Sequence, residues 1–147
     1  MSGHEVVIVS GVRTAIGDFG GSLKDLSPTE LGTLVTREAL HRAQLNGEDV
    51  DHVVFGNVIH SEPKDMYLSR VVAIQAGIDQ RTPALTLSRL CGSGLQAIIS
   101  AAQGILLGDS QIAVAGGAES MSRAPYASPA LRFGARMGNS QLTAMLS

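Results

Sequence analysis

Two hydrophobic rhythms alternate along this chain: short continuous apolar runs, and longer stretches in which apolar residues recur every three or four positions. The first run, Glu5-Val-Val-Ile-Val-Ser10, is β-branched through its centre and predicts a strand buried on both faces. A glycine-rich connection follows, and then Ser27-Pro-Thr-Glu30 reads as a capping box, with Ser27 at N-cap, Pro28 at N1 and Glu30 at N3. Leu31, Leu34, Val35, Ala39, Leu40 and Ala43 continue at helical spacing, and Asn46-Gly47 supplies a stop. Residues 53–59 predict a second strand. Residues 66–76 predict a helix led by Asp65 and ended by Gly77. A third strand is expected over 84–88, after Pro83, and a fourth over 112–115, running into Gly116-Gly117. Between them, residues 92–107 carry so few polar side chains that the predicted helix should be buried nearly all round.

Strands alternating with helices argue for an α/β fold built on a mixed, mostly parallel sheet between helices, with right-handed crossovers. The pattern fails after Glu119. Residues 120–138 hold two prolines, three arginines and two glycines without a period, and read as the start of a separate excursion. The chain therefore divides into residues 1–119 and 120–147. Its last segment, Gln141-Leu-Thr-Ala-Met-Leu-Ser147, is apolar and lacks a polar tail, so it reads as an interruption.

Composition narrows the function classes. A formal net charge of −2 leaves no basic footprint for nucleic acid. Aromatic content of 3%, with no Trp, leaves little to stack bases or sugars on. One cysteine excludes an internal disulfide and points to a reducing, cytoplasmic location. No basic n-region precedes the short apolar run 6–9, and no apolar stretch is expected to reach the length of a membrane span.

Chemistry concentrates in Leu87-Ser-Arg-Leu-Cys-Gly-Ser-Gly-Leu-Gln-Ala97, where a strand ends, Cys91 stands at the turn and a glycine-rich step opens a helix. A helix N-terminus presents free N–H groups and a partial positive charge, which favour a thiolate. The same N–H groups can stabilise the oxyanion formed when a thiolate attacks a carbonyl. Gly92 and Gly94 let a substrate lie against bare backbone. Against this stands the ordinary alternative, in which a lone cysteine is a small buried hydrophobe. A dinucleotide fingerprint also fits Gly92-x-Gly94-x-x-Ala97. That motif belongs on the first βα unit rather than the third, and its acidic partner is poorly matched, because Glu119 lies beyond Gly116-Gly117.

Four ordered motifs together resemble the thiolase family, the acetyl-CoA acetyltransferases. They are Val9-Ser-Gly-Val-Arg-Thr-Ala-Ile-Gly17 with Phe19-Gly-Gly21, Phe55-Gly-Asn-Val58, the Ser-Arg-Leu-Cys-Gly-Ser-Gly-Leu-Gln-Ala segment around Cys91, and Ala115-Gly-Gly-Ala-Glu-Ser-Met-Ser-Arg-Ala-Pro-Tyr126. The likeness runs from about Glu5 to Met137; Ser88 departs from it, where these enzymes often carry Asn.

The resemblance implies the first half of a thiolase fold, with a loop domain that binds CoA or joins tetramers beginning near Ser120. It implies that Cys91 is the acyl-thioester nucleophile and that the Cys91 backbone N–H serves the oxyanion hole. The reaction implied is condensation of two acetyl-CoA to acetoacetyl-CoA, or the reverse thiolysis of a 3-ketoacyl-CoA, as in fatty acid metabolism. Coenzyme A and acyl-CoA would be substrates, and no cofactor would be bound permanently. The family's remaining groups are a His, an Asn-held water and a second Cys, carried in Gly-His-Pro, Asn-Glu-Ala and Cys-x-Gly-x-Gly segments that this sequence lacks. The remaining C-terminal half is therefore an implied partner, as is a homodimer or homotetramer built near the strand 84–88. Neither nucleic acid nor membrane is implied.

His4, His41, His52 and His60 read as surface residues rather than as the missing base. Arg123, Arg132 and Arg136 could approach a phosphate or serve surface contacts. Two other readings stand beside the acyltransferase. A ketoacyl-carrier-protein synthase would usually show Ala-Cys-Ser at the nucleophile, and a non-catalytic thiolase-like subunit would contribute only an interface.

Overall fold

In the computed structural model, which describes residues 5–146, Ser27 caps helix α1 (Pro28–Ala43) as its sequence predicts. The Ser27 hydroxyl accepts from the Glu30 N–H at 3.3 Å, and the Glu30 carboxylate accepts from the Ser27 N–H at 2.8 Å. Bonds from the Ser27 backbone N–H and, at 2.8 Å, from the Ser27 hydroxyl hold the Glu30 carboxyl below its ordinary pKa of 4.5. Asp51 is likewise lowered, by N–H bonds from Ile112 and Gln111. Carboxyls depressed by folding contribute stability that is present above their unfolded pKa values and is lost as pH falls through the folded ones. Ser27→Ala is therefore expected to cost about 1 kcal/mol at neutral pH, read as a lower urea midpoint at unchanged slope. That deficit should shrink on acidification below about pH 4, as Glu30 gains its proton.

Helix α1 stops earlier than Asn46-Gly47. Gln44 takes the left-handed conformation (φ 56°) and closes the helix, and the Leu45 N–H returns to the Leu40 carbonyl. Gly47 serves packing instead, since a Cβ there would lie 1.9 Å from the Gly77 carbonyl oxygen.

Strand β1 (His52–Gly56) lies between β2 (Ala84–Leu87) and β3 (Ala113–Gly117), and all three run parallel. Helix α2 (Leu68–Ala76) links β1 to β2, and α3 (Ser93–Leu107) links β2 to β3. Residues 66 and 67, expected to be helical, belong to a preceding 3-10 turn (Pro63–Tyr67), because the buried Asp65 carboxylate accepts from the Ser61 and Glu62 N–H groups. Side chains alternate across the sheet. Val53 and Phe55 join Leu68 and Val72 of α2 and Leu40 of α1, while Val54 meets Ala97 and Ala101 of α3. The layers are thus α1 and α2, then sheet, then α3, so the expected α/β sheet between helices is the observed architecture.

Four expectations are corrected. Residues 5–10 form no strand: Val7, Ile8 and Val9 are exposed, and no described strand pairs with them. A β-branched run becomes a strand only where backbone and side chains find partners. Strand β1 ends at Gly56 rather than 59, because the N–H groups of Val58 and Ile59 turn to the Glu119 carboxylate. Helix α3 is not buried all round. Ser93, Ala97 and Ala101 face the sheet, while Leu95 and Leu107 stand 65% and 79% exposed. The stretch Leu90–Leu107, with mean hydropathy 1.5, is also long and apolar enough to cross a membrane by length and composition, contrary to the expectation of no such run. Its small residues seat on β1 and β3 as those of a core helix do.

Beyond Ser120 the chain forms 3-10 turns (Met121–Arg123 and Pro129–Phe133). Strand β4 (Tyr126–Ala127) pairs antiparallel with β5 (Thr143–Ala144), and most side chains there are exposed.

Candidate functional site

The carboxyl ends of three parallel strands converge, Gly56 standing opposite Leu87 and Gly117. Ligands in open α/β sheets bind outside such ends. Four residues after Leu87, Cys91 stands exposed at the turn into α3. The turn is tight. The Gly92 N–H bonds to the Arg89 carbonyl at 3.1 Å and the Ser93 N–H to the Leu90 carbonyl at 3.0 Å.

Leu90 has a φ of 48°, unusual for a residue with a large side chain. The Ser93 hydroxyl holds it there, accepting from the Arg89 N–H at 2.8 Å and donating to the Leu90 carbonyl at 2.6 Å. Backbone strain of this kind gathers at functional turns. Neither Leu90 nor Ser93 drew a role from the sequence, although both sit within its Cys91 motif.

Ser93 faces inward and Gly94 outward. Ser93 is 5% exposed and packs on Gly56, where a Cβ would come within 2.7 Å of the Ser93 carbonyl carbon. A Cβ on Gly94 would meet nothing within 4 Å. The N-cap Gly92 offers no side chain to the first-turn N–H groups of α3, and the Cys91 N–H makes no hydrogen bond among the described residues. The turn thus presents an exposed thiol, an unbonded Cys91 N–H and bare backbone at Gly94. That arrangement suits attack on a carbonyl and stabilisation of the resulting oxyanion.

The other sequence candidates lie elsewhere. His52 starts β1, about 13 Å along the strand from its carboxyl end at four residues of about 3.3 Å each, and is half-buried. His41 and His60 are exposed, and His4 lies outside the described residues. Arg123 is tied to the Asp25 carbonyl at 3.2 Å and to Glu62 at 3.8 Å, a contact within the chain rather than a free phosphate ligand. Arg132 and Arg136 are exposed. A cavity of about 820 Å3 runs between residues 11–15 and α1, lined by Arg13, Leu34, Glu38 and Arg42 among others, and does not include Cys91. Among the described residues no group of His, Cys, Asp and Glu is placed to hold a metal ion.

Two residues quoted in motifs but given no role also meet at the strand ends. Asn57, 1% exposed, donates through Nδ2 to the Ala118 carbonyl at 2.9 Å and to Glu119 Oε1 at 3.0 Å. The Glu119 carboxylate also accepts from the N–H groups of Val58 and Ile59, each at 3.0 Å.

Comparison with known proteins identifies the family of this fold. The family model described as "Thiolase, N-terminal domain" matches residues 6–147. The beta-ketothiolase BktB of Cupriavidus necator is 69% identical over 143 residues, which cover 97% of this chain and 36% of that protein. A crystal structure of the Bacillus anthracis acetyl-CoA acetyltransferase superposes with a TM-score of 0.92 at 40% identity, over 98% of this chain and 36% of that one. Human mitochondrial 3-ketoacyl-CoA thiolase in complex with CoA superposes with a TM-score of 0.86 at 41% identity, over 92% of this chain and 34% of that one. The chain spans about a third of the length of the relatives it matches.

Proposed function

Since this chain belongs to the thiolase family, we propose that it carries the nucleophile of an acyltransferase acting on CoA thioesters, with Cys91 as the residue acylated. The observation that carries the reading is the exposed Cys91 on a strained turn, with its own N–H unbonded among the described residues and the bare Gly94 beside it.

In thiolysis, the Cys91 sulfur bonds to C3 of a 3-ketoacyl-CoA. The C2–C3 bond breaks, its electron pair stays on C2 as an acetyl-CoA enolate, and a proton delivered to C2 completes acetyl-CoA. The thiol of a free coenzyme A then takes the acyl group and returns the Cys91 thiol. The reverse sequence condenses two acetyl-CoA to acetoacetyl-CoA and coenzyme A. This chain's contribution is the sulfur, and the Cys91 N–H as donor to the oxygen that becomes negative at each attack. The proton transfers need an acid and a base that the described histidines do not supply, since His41 and His60 are exposed elsewhere and His52 starts its strand at the far end. The part of the longer relatives that this chain does not span would supply them.

Residues 120–146, with their 3-10 turns and the β4–β5 ladder, would begin the loop region that approaches CoA or a second subunit. Iodoacetamide tests the nucleophile directly. In the folded chain Cys91 should be alkylated at least about tenfold faster than in the urea-unfolded chain, as expected for an activated nucleophile, and acetoacetyl-CoA should protect it. Equal rates in the two states would sink the proposal.

A further inference from the structure

Two motifs, Phe55-Gly-Asn-Val58 and Gly116-Gly-Ala-Glu119, have no chemical part in the acyl transfer described above, yet they meet beneath its nucleophile. We infer that the Asn57–Glu119 pair positions the Cys91 turn, an inference that rests on the reading of Cys91 as the acylated residue. Neither side chain bonds to Cys91, so they act through the backbone as positioning residues.

The path is short and made of named contacts. Asn57 is the first residue past β1, and its N–H bonds to the Leu87 carbonyl at 3.1 Å. Its Nδ2 holds the Ala118 carbonyl and Glu119, just past β3, while the Ala118 N–H returns to the Gly56 carbonyl at 3.1 Å. One residue, through its backbone N–H and its side chain, therefore ties together the exits of all three strands. Those exits are the floor on which α3 begins. Gly56 packs against Ser93, and a Cβ on Gly117 would lie 3.4 Å from the Gly94 Cα. Ser93 in turn holds the carbonyl of Leu90 and the N–H of Arg89. If the exits of β1 and β3 separate, the first turn of α3 loses its seat, and the sulfur and N–H of Cys91 lose their fixed direction.

The donor chemistry makes the pair specific. Both acceptors of the Asn57 amide, a carbonyl and a carboxylate, require N–H, so Asn57→Asp would place a third acceptor against them. Glu119 faces three donors, so Glu119→Gln keeps the shape but turns one N–H donor toward another.

The test uses the whole chain carrying Asn57→Asp or Glu119→Gln, with backbone amide exchange and the iodoacetamide rate of Cys91 as readouts. Both variants should lose protection at the Gly92 and Ser93 amides by about tenfold for Asn57→Asp and severalfold for Glu119→Gln, the scale of charge-assisted hydrogen bonds lost. Amides inside α1 should be unchanged, showing that the fold is intact. Cys91 alkylation should slow by similar factors. Exchange confined to Val58 and Ile59, or an unaltered alkylation rate beside loosened 92–93 amides, would overturn the inference. If the unsubstituted Cys91 reacts only as fast as in the unfolded chain, the nucleophile proposal fails, while exchange at Gly92 and Ser93 still decides the positioning claim.

Discussion

Mixed with a polypeptide carrying the remainder of a thiolase, this chain is expected to restore acetoacetyl-CoA cleavage, and Cys91→Ser to reduce that cleavage by at least about 10^3-fold. The substitution exchanges sulfur for oxygen at an exposed position, so it removes no core packing. A serine hydroxyl is far less ionised than a thiol at neutral pH, and the turn offers it N–H donors but no base of its own. The loss should therefore fall on acylation while assembly of the two polypeptides is kept, which size-exclusion chromatography would show. A stable complex without turnover would instead favour the non-catalytic subunit. Cleavage that survives Cys91→Ser would remove the nucleophile from this chain altogether.

The second large effect concerns two glycines that differ only in direction. At Gly56 a methyl would meet the Ser93 carbonyl carbon and Cβ at 2.7 Å and its oxygen at 2.9 Å, all in a buried interface. Backbone atoms cannot swing aside as a side-chain tip can, so the first turn of α3 must move. Gly56→Ala is expected to cost about 3 kcal/mol by overpacking and to slow Cys91 alkylation through the displaced turn. At Gly94 the same methyl would enter open space. Gly94→Ala should leave stability unchanged or raise it by up to about 1 kcal/mol through helix propensity, yet obstruct an acyl-CoA lying over the backbone. Urea midpoints and acetoacetyl-CoA protection of Cys91 separate the two. Equal midpoints for Gly56→Ala and the unsubstituted chain would show that β1 and α3 are not seated as described.

Local chemistry explains what the sequence reveals. The α1 start is legible because Ser27, Pro28 and Glu30 meet their requirements within one turn, and the three parallel strands because short apolar runs lie between helix stops. Cys91 is legible because a strand, a cysteine, two glycines and a helix follow one another directly. What is missed depends on contacts across the fold. The exposed run at 5–10 carries a strand's composition but pairs with no described strand. The apolar composition of α3 implies cover on every side, whereas the described residues cover only the Ser93, Ala97 and Ala101 face. The left-handed Leu90 could not be anticipated, because no glycine or asparagine marks it and its support comes from Ser93 three residues later. Asn57 and Glu119 stand 62 positions apart, and only the parallel register of β1 and β3 brings them together.

Cys91 holds the single sulfhydryl of the sequence and stands in the open. A maleimide dye added to this protein would therefore mark one place only, the bend where β2 gives way to α3. Its emission would report the polarity and crowding of that bend without any engineered label site. Arrival of a partner polypeptide would register as a change in fluorescence, and a bound acyl chain as failure of the dye to attach.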